Sequence, residues 1–223
     1  MKVALLAGAT GLVGGQCLEQ LLETPDYDRV IALTRRPLAT RHAKLDQRLI
    51  DFDELGREGT DCPAADDVFC CLGTTMKRAG SEAAFRQVDF VYVVSLAGQA
   101  LARGAKQFLL VSSLGANAKS PIFYSRVKGE AEAAIAALSF EGRQIFRPSI
   151  LTGERAEHRP GERAGIAVMR GVSFAMIGPL RKYRPIAART VARAMIRVAH
   201  QAPRGVNIYA SNDIERLGRD ERP

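Results

Sequence analysis

The sequence predicts an α/β fold, a doubly wound parallel sheet of about seven strands with helices on both faces. Three observations predict it. Short β-type runs alternate with longer helical patterns, several of the short runs are apolar throughout, and a glycine-rich turn joins the first strand to the first helix. Apolar strands of this kind belong in a sheet covered by helices on both sides.

Taken in order, the candidate strands are Val3–Ala7, Val30–Thr34, Arg48–Asp51, Asp67–Leu72, Gln107–Ser112, Arg143–Phe146 and Val206–Tyr209. Between them, Gly14–Glu23 carries Cys17, Leu18, Leu21 and Leu22 at helical spacing. Glu82–Arg103 reads as one long helix with an apolar centre. Ser120-Pro121 reads as an N-cap followed by proline at the first helical position, opening a helix that runs to Leu138. Thr190–His200 is the last long helix. Residues 152–186 break the rhythm with proline, glycine and arginine, and are read as an irregular lobe on the substrate side.

Composition excludes several classes. With 47% hydrophobic and 25% charged residues, the chain has the balance of an ordinary globular protein. The longest apolar stretch, Phe90–Ala102, is too short for a membrane span, which needs about 20 residues. The apolar run begins at Val3, so a secretory leader is not expected, and a cytoplasmic location is. Vicinal Cys70 and Cys71 sit in a strand pattern and should point to opposite faces, as core packing rather than a disulfide. The cysteines lack metal-binding spacing and the three histidines are scattered, so no metal site is expected. A net charge of +8 raises the question of nucleic acid. Arg189, Arg193 and Arg197 recur every four residues, but no nucleic-acid motif accompanies them, and the stripe is read as a solvated helix face.

The chemistry concentrates in three places. Gly8-Ala9-Thr10-Gly11-Leu12-Val13-Gly14 lies between a strand and a helix. There glycines allow a tight turn and close approach to a pyrophosphate, which the helix N-terminus then attracts. This marks a Rossmann-type dinucleotide site, although the spacing is G-x-x-G-x-x-G rather than G-x-G-x-x-G. The second strand ends in Arg35-Arg36, where an NAD-binding protein would place an acid against the ribose hydroxyls. Guanidinium groups instead suit a 2′-phosphate, so NADP(H) is the expected cofactor. Finally, Tyr124 and Lys128 stand four residues apart on one helical face, about a dozen residues after Ser112-Ser113.

Ser113, Tyr124 and Lys128 behind this glycine loop resemble the short-chain dehydrogenase/reductase superfamily over nearly the whole chain. Finer pieces resemble its Tat-interacting, oxidoreductase-like subgroup: Cys70-Cys71-Leu72-Gly73-Thr74-Thr75, Val127-Lys128-Gly129-Glu130 and Arg159-Pro160-Gly161-Glu162. The resemblance implies that Thr10, Gly11, Leu12 and Val13 line the pyrophosphate and that Arg35 and Arg36 meet the 2′-phosphate. It further implies Leu72 and Gly73 on the adenosine side and Leu151 and Arg159 at the nicotinamide end. Tyr124 would be the proton donor and acceptor, Lys128 would hold the nicotinamide ribose, and Ser113 would hold the substrate oxygen.

The same roles make physical sense, because an ammonium beside a tyrosine favours the phenolate that proton transfer leaves behind. Residues 1–223 are thus read as a single NAD(P)-binding domain, an NADP-dependent oxidoreductase for a carbonyl or alcohol. The basic 152–186 segment points to an anionic small-molecule substrate. The chain lacks the Asn-Asn-Ala-Gly signature of many relatives, having Cys71-Leu72-Gly73-Thr74-Thr75 instead. That departure leaves open an alternative, an NADPH-binding regulatory protein acting through a protein partner, and a homodimer is open as well.

Overall fold

The computed structural model describes residues 1–55, 62–153 and 184–219. Seven strands form one sheet in the order β3-β2-β1-β4-β5-β6-β9, and every neighbouring pair is parallel. They are β1 (Val3–Ala7), β2 (Arg29–Thr34), β3 (Leu45–Leu49), β4 (Asp67–Cys70), β5 (Gln107–Val111), β6 (Gly142–Arg147) and β9 (Gly205–Ala210). Between the last two, β7 (Leu151–Thr152) pairs with β8 (Ile186–Ala187) outside the main sheet.

Helices cover both faces. One face holds α1 (Leu12–Glu23), α6 (Ala188–Gln201) and α7 (Ser211–Gly218), packed over Leu6, Val30, Phe69 and Phe146. The other holds α4 (Tyr92–Ala102) and α5 (Phe123–Ala137), over Leu5, Ile31, Val68 and Phe108. Two short helices, α2 (Met76–Ala79) and α3 (Glu82–Arg86), precede α4. The alternation of strand side chains shows at the vicinal cysteines. Cys70 belongs to the second core, Cys71 packs against the first, and all four cysteines are free thiols.

Three expectations are corrected in detail. The third strand spans Leu45–Leu49 rather than Arg48–Asp51, because this edge strand tolerates polar residues such as Asp46 and Gln47 in its pairing with β2. The long helix is interrupted by a π-helical turn, Gln87–Val91, between α3 and α4. Helix α5 starts at Phe123, not at Ser120-Pro121. The Ser120 hydroxyl accepts from the Ile122 amide, and the Arg126 guanidinium binds the Ser120 and Pro121 carbonyls, so the chain makes a turn before the helix. Of the segment read as an irregular lobe, residues 154–183 lie outside those described; at its flanks Leu151–Thr152 pairs with Ile186–Ala187.

The arginine stripe has a partner inside the protein. Arg193 donates to the Gly218 carbonyl, and Arg197 to those of Leu217 and Arg219, at the C-terminus of α7. Cations suit the orphan carbonyls at a helix end. Arg193 and Arg197 therefore dock a helix that the sequence reading did not identify, while Arg189 stays exposed as that reading expected.

Opposite the carboxyl edge of the sheet, Asp67 at the start of β4 is 1% exposed. It accepts from Tyr27 Oη at 2.5 Å and Gln107 Nε2 at 2.8 Å, and pairs with Lys2 Nζ at 2.7 Å. Burial and this carboxylate push the Tyr27 hydroxyl far above the ordinary tyrosine range, so it stays a donor. Asp67→Ala strands these donors in the core and is expected to cost about 2–3 kcal/mol of stability, measured by urea unfolding. A loss below about 0.5 kcal/mol, the scale of a surface substitution, would show the network to be dispensable.

Candidate functional site

All seven strands of the main sheet are parallel, so their carboxyl ends share one edge. Strand order reverses between β1 and β4, and in open α/β sheets such a switch point is where ligands bind. The glycine loop leaves β1 at this point. Gly8 has φ +90°, a conformation that L side chains rarely adopt, and a Cβ there would stand 2.4 Å from the Cys71 carbonyl oxygen. A Cβ on Gly14 would stand 2.0 Å from the Gly8 carbonyl oxygen. The loop closes through the Gly11 amide, which donates to Gly8 O at 2.9 Å.

Helix α1 then begins at Leu12 with Gly11 as N-cap and no capping side chain. Its first amides are left for an anion, and no acidic residue stands in the first turn to repel one. A cradle this tight, open at a helix N-terminus, fits a dinucleotide pyrophosphate. Thr10, Leu12 and Val13 lie on the same turn, and the Leu12 side chain packs where a Cβ on Gly153 would come within 3.0 Å. Leu12 and Leu151 border the same core, which brings the end of β7 to the glycine loop.

Arg35 and Arg36 follow β2, the neighbour of β1, and both are exposed. The Arg35 charge reaches the hydroxyl of Tyr92. That hydroxyl donates to Asp53 Oδ1 at 2.6 Å, and burial together with this carboxylate pushes it up to about 12. Arg159 lies outside the described residues.

On the far side of the switch point, Tyr124 and Lys128 occupy α5 as its helical spacing requires. Tyr124 is half-buried, its ring 5.3 Å from that of Phe85. Lys128 is buried, and its Nζ lies 2.7 Å from Oδ1 of Asp89 in the π-helical turn. The other Asp89 oxygen accepts from the Thr74 amide at 2.8 Å. Gly73 sits on this pair: a Cβ there would come 3.3 Å from Asp89 Oδ1 and 3.5 Å from Lys128 Nζ. Burial alone pulls the Lys128 ammonium down. Asp89, with lesser help from Tyr124 and Cys70, outweighs it and holds Lys128 above the ordinary lysine value.

Ser113 stands in the loop after β5, its hydroxyl donating to the Leu114 carbonyl at 3.2 Å. The same loop approaches α5 closely at Gly129, where a Cβ would stand 2.1 Å from the Ala118 amide nitrogen. This contact fixes the Ser113–Ser120 segment against the helix that bears Tyr124 and Lys128.

Asp89 is the residue that the sequence reading missed. Its signal was a lone carboxylate at the edge of an apolar helix, and its partner could be identified only once α5 was placed beside it. Among the described residues there is no cluster of three or more side chains placed to hold a metal ion, and no helix is long and apolar enough to cross a membrane.

Comparison with known proteins bears on the family and the fold. The family described as NAD(P)H-binding matches residues 8–202. Protein HTATIP2 of Rattus norvegicus is 37% identical over 72% of this chain and 67% of its own length. Protein FMP52, mitochondrial, of Coccidioides immitis is 33% identical over 100% of this chain and 98% of its own. Human epimerase family protein SDR39U1, solved with NADPH, superposes with a TM-score of 0.63 at 17% identity, covering 93% of this chain and 74% of that one. UDP-glucose 4-epimerase from Thermotoga maritima, solved with UDP-glucose, gives 0.66 at 15% identity, covering 99% and 84%. At these identities the two structures show the fold. The relatives' names correct one expectation. Three fungal relatives are each called mitochondrial, which points away from the cytoplasmic location read from the sequence. That reading rested on an apolar start and on apolar stretches too short to span a membrane, and neither is an address signal.

Proposed function

The chain belongs to the NAD(P)H-binding family as an atypical short-chain dehydrogenase/reductase, and on that premise we propose that it is an NADP-dependent oxidoreductase acting on a carbonyl or alcohol. The observation that carries the proposal is the charged Lys128 one helical turn from Tyr124, beside the turn that follows β4 at the switch point. The bound cofactor supplies or accepts the hydride. In reduction, the Tyr124 hydroxyl would give its proton to the substrate oxygen as that oxygen gains negative charge. Lys128 steadies the phenolate charge that remains, and Ser113 Oγ holds the same oxygen by a hydrogen bond. The glycine loop and the start of α1 hold the pyrophosphate.

The NADP preference rests on Arg35 and Arg36 at the end of β2. NADPH is expected to bind at least about tenfold more tightly than NADH, a difference of about 1.4 kcal/mol. The double variant Arg35→Ala, Arg36→Ala should erase that difference in a calorimetric titration. Equal affinities in the native protein would refute the assignment.

The reaction itself is tested by following NADPH absorbance across a panel of carbonyls. The panel pairs neutral with anionic compounds, since the basic 152–186 segment favours an anionic substrate. Consumption that tracks one substrate class supports the enzyme. Tight NADPH binding with no consumption across the panel favours the cofactor-dependent regulatory protein instead.

A further inference from the structure

We propose that Asp89 is the positioning residue of this site, its carboxylate both fixing Lys128 Nζ beside Gly73 and keeping that nitrogen charged. The inference rests on the reading of Tyr124 and Lys128 given above. It starts from an energetic problem, the burial of a lysine. The Lys128 side chain is 8% exposed and that of Asp89 is 0% exposed, so both charges have left water. A buried ammonium without a partner sheds its proton, and only an adjacent carboxylate reverses that tendency. Asp89 supplies it at 2.7 Å.

The carboxylate is itself held. The Thr74 amide donates to its second oxygen, and the π-helical turn Gln87–Val91 carries its backbone. Such turns within α-helices are rare and recur at functional sites. Gly73 lies directly against the pair: a Cβ there would be tight on Asp89 Oδ1 at 3.3 Å and in ordinary contact with Lys128 Nζ at 3.5 Å.

The groups that face Lys128 are few. Asp89 comes from the π turn, Tyr124 from the preceding turn of α5, and Cys70 from the end of β4. Burial pushes the Cys70 thiol up to about 12, so it adds no charge near neutral pH. Asp89 is therefore the counter-charge that matters. An amide at position 89 could still accept a hydrogen bond and hold Lys128 in place. It could not hold the proton. This separates positioning by charge from positioning by shape alone.

The test is NMR titration of the protein carrying ε-carbon-labelled lysine, with the Lys128 signal assigned by its absence in Lys128→Met. In the native protein Lys128 should titrate above the ordinary lysine value of 10.5. In Asp89→Asn it should titrate lower than in the native protein by at least about one pH unit, the lower bound for losing an adjacent opposite charge. An unchanged titration in that variant overturns the proposal. Asp89→Glu keeps the carboxylate and should keep Lys128 on the native side. It also serves if Asp89→Asn does not fold, and a Lys128 titrating below the ordinary value in Asp89→Glu would likewise overturn the proposal. A second readout is the pH profile of carbonyl reduction, which should shift in Asp89→Asn and return in Asp89→Glu, whereas a purely structural role would lower the rate without moving the profile. Because the NMR arm needs no turnover, a protein that reduces nothing would sink the proposed reaction while leaving the Asp89–Lys128 titration to stand or fall by itself.

Discussion

Tyr124→Phe is expected to lower the rate of carbonyl reduction at least about a hundredfold, the usual scale for losing a general acid. The substitution removes one oxygen and leaves the ring, so the contact with Phe85 at 5.3 Å survives and the fold with it. Lys128 keeps its partner Asp89, so the charge behind the site is unchanged. NADPH affinity should therefore change less than about twofold, which separates a chemical role from a binding one. Steady-state kinetics with calorimetric cofactor binding makes the measurement. Full activity in the variant would show that another group delivers the proton.

Gly14→Ala carries the other large effect. The new Cβ would lie 2.0 Å from the Gly8 carbonyl oxygen and 2.6 Å from its carbon, both backbone atoms with no side chain to swing away. The loop must move, and with it the amides that face the pyrophosphate. NADPH affinity is expected to fall at least about a hundredfold, near 2.7 kcal/mol, with stability lower by about 1–3 kcal/mol from overpacking. Gly15→Ala is the internal control. Its Cβ would meet only the Ala9 carbonyl oxygen, at 3.4 Å, an ordinary contact inside α1. Alanine there should leave binding intact and raise stability by about 0.5–1 kcal/mol, since glycine is costly in a helix interior. Equal effects of the two neighbouring substitutions would contradict the close approach of Gly14 to Gly8.

These contrasts mark what can be read from sequence. The glycine loop was legible because its function needs fixed residue types at fixed spacing, and the parallel sheet because β1, β2, β4 and β5 are largely apolar and alternate with helical patterns. Edge strands were less legible. In β3 only Leu45 and Leu49 are apolar, and pairing with β2 rather than hydrophobicity sets its limits. The start of α5 was misplaced because Ser120-Pro121 has the residue types of a helix cap, while the Arg126 contacts that hold the turn come from six and five residues further on. The arginine stripe on α6 was visible as a period of four, but its partners are carbonyls of α7, a relation that exists only in three dimensions. Asp89 was hidden for the same reason, since its identity as a counter-charge depends on α5, which follows a further helix, strand and loop in the chain.

Hydride transfer at the carboxyl edge of the sheet is tested most directly by an isotope. The native protein would be supplied with NADPH carrying deuterium at its transferable position, together with the best carbonyl from the panel. Mass spectrometry of the alcohol product then shows where the label went. The account predicts a product carrying the deuterium on the former carbonyl carbon, formed by the native protein and nearly lost in Tyr124→Phe. A protein that binds NADPH yet forms no labelled product from any carbonyl offered would contradict it.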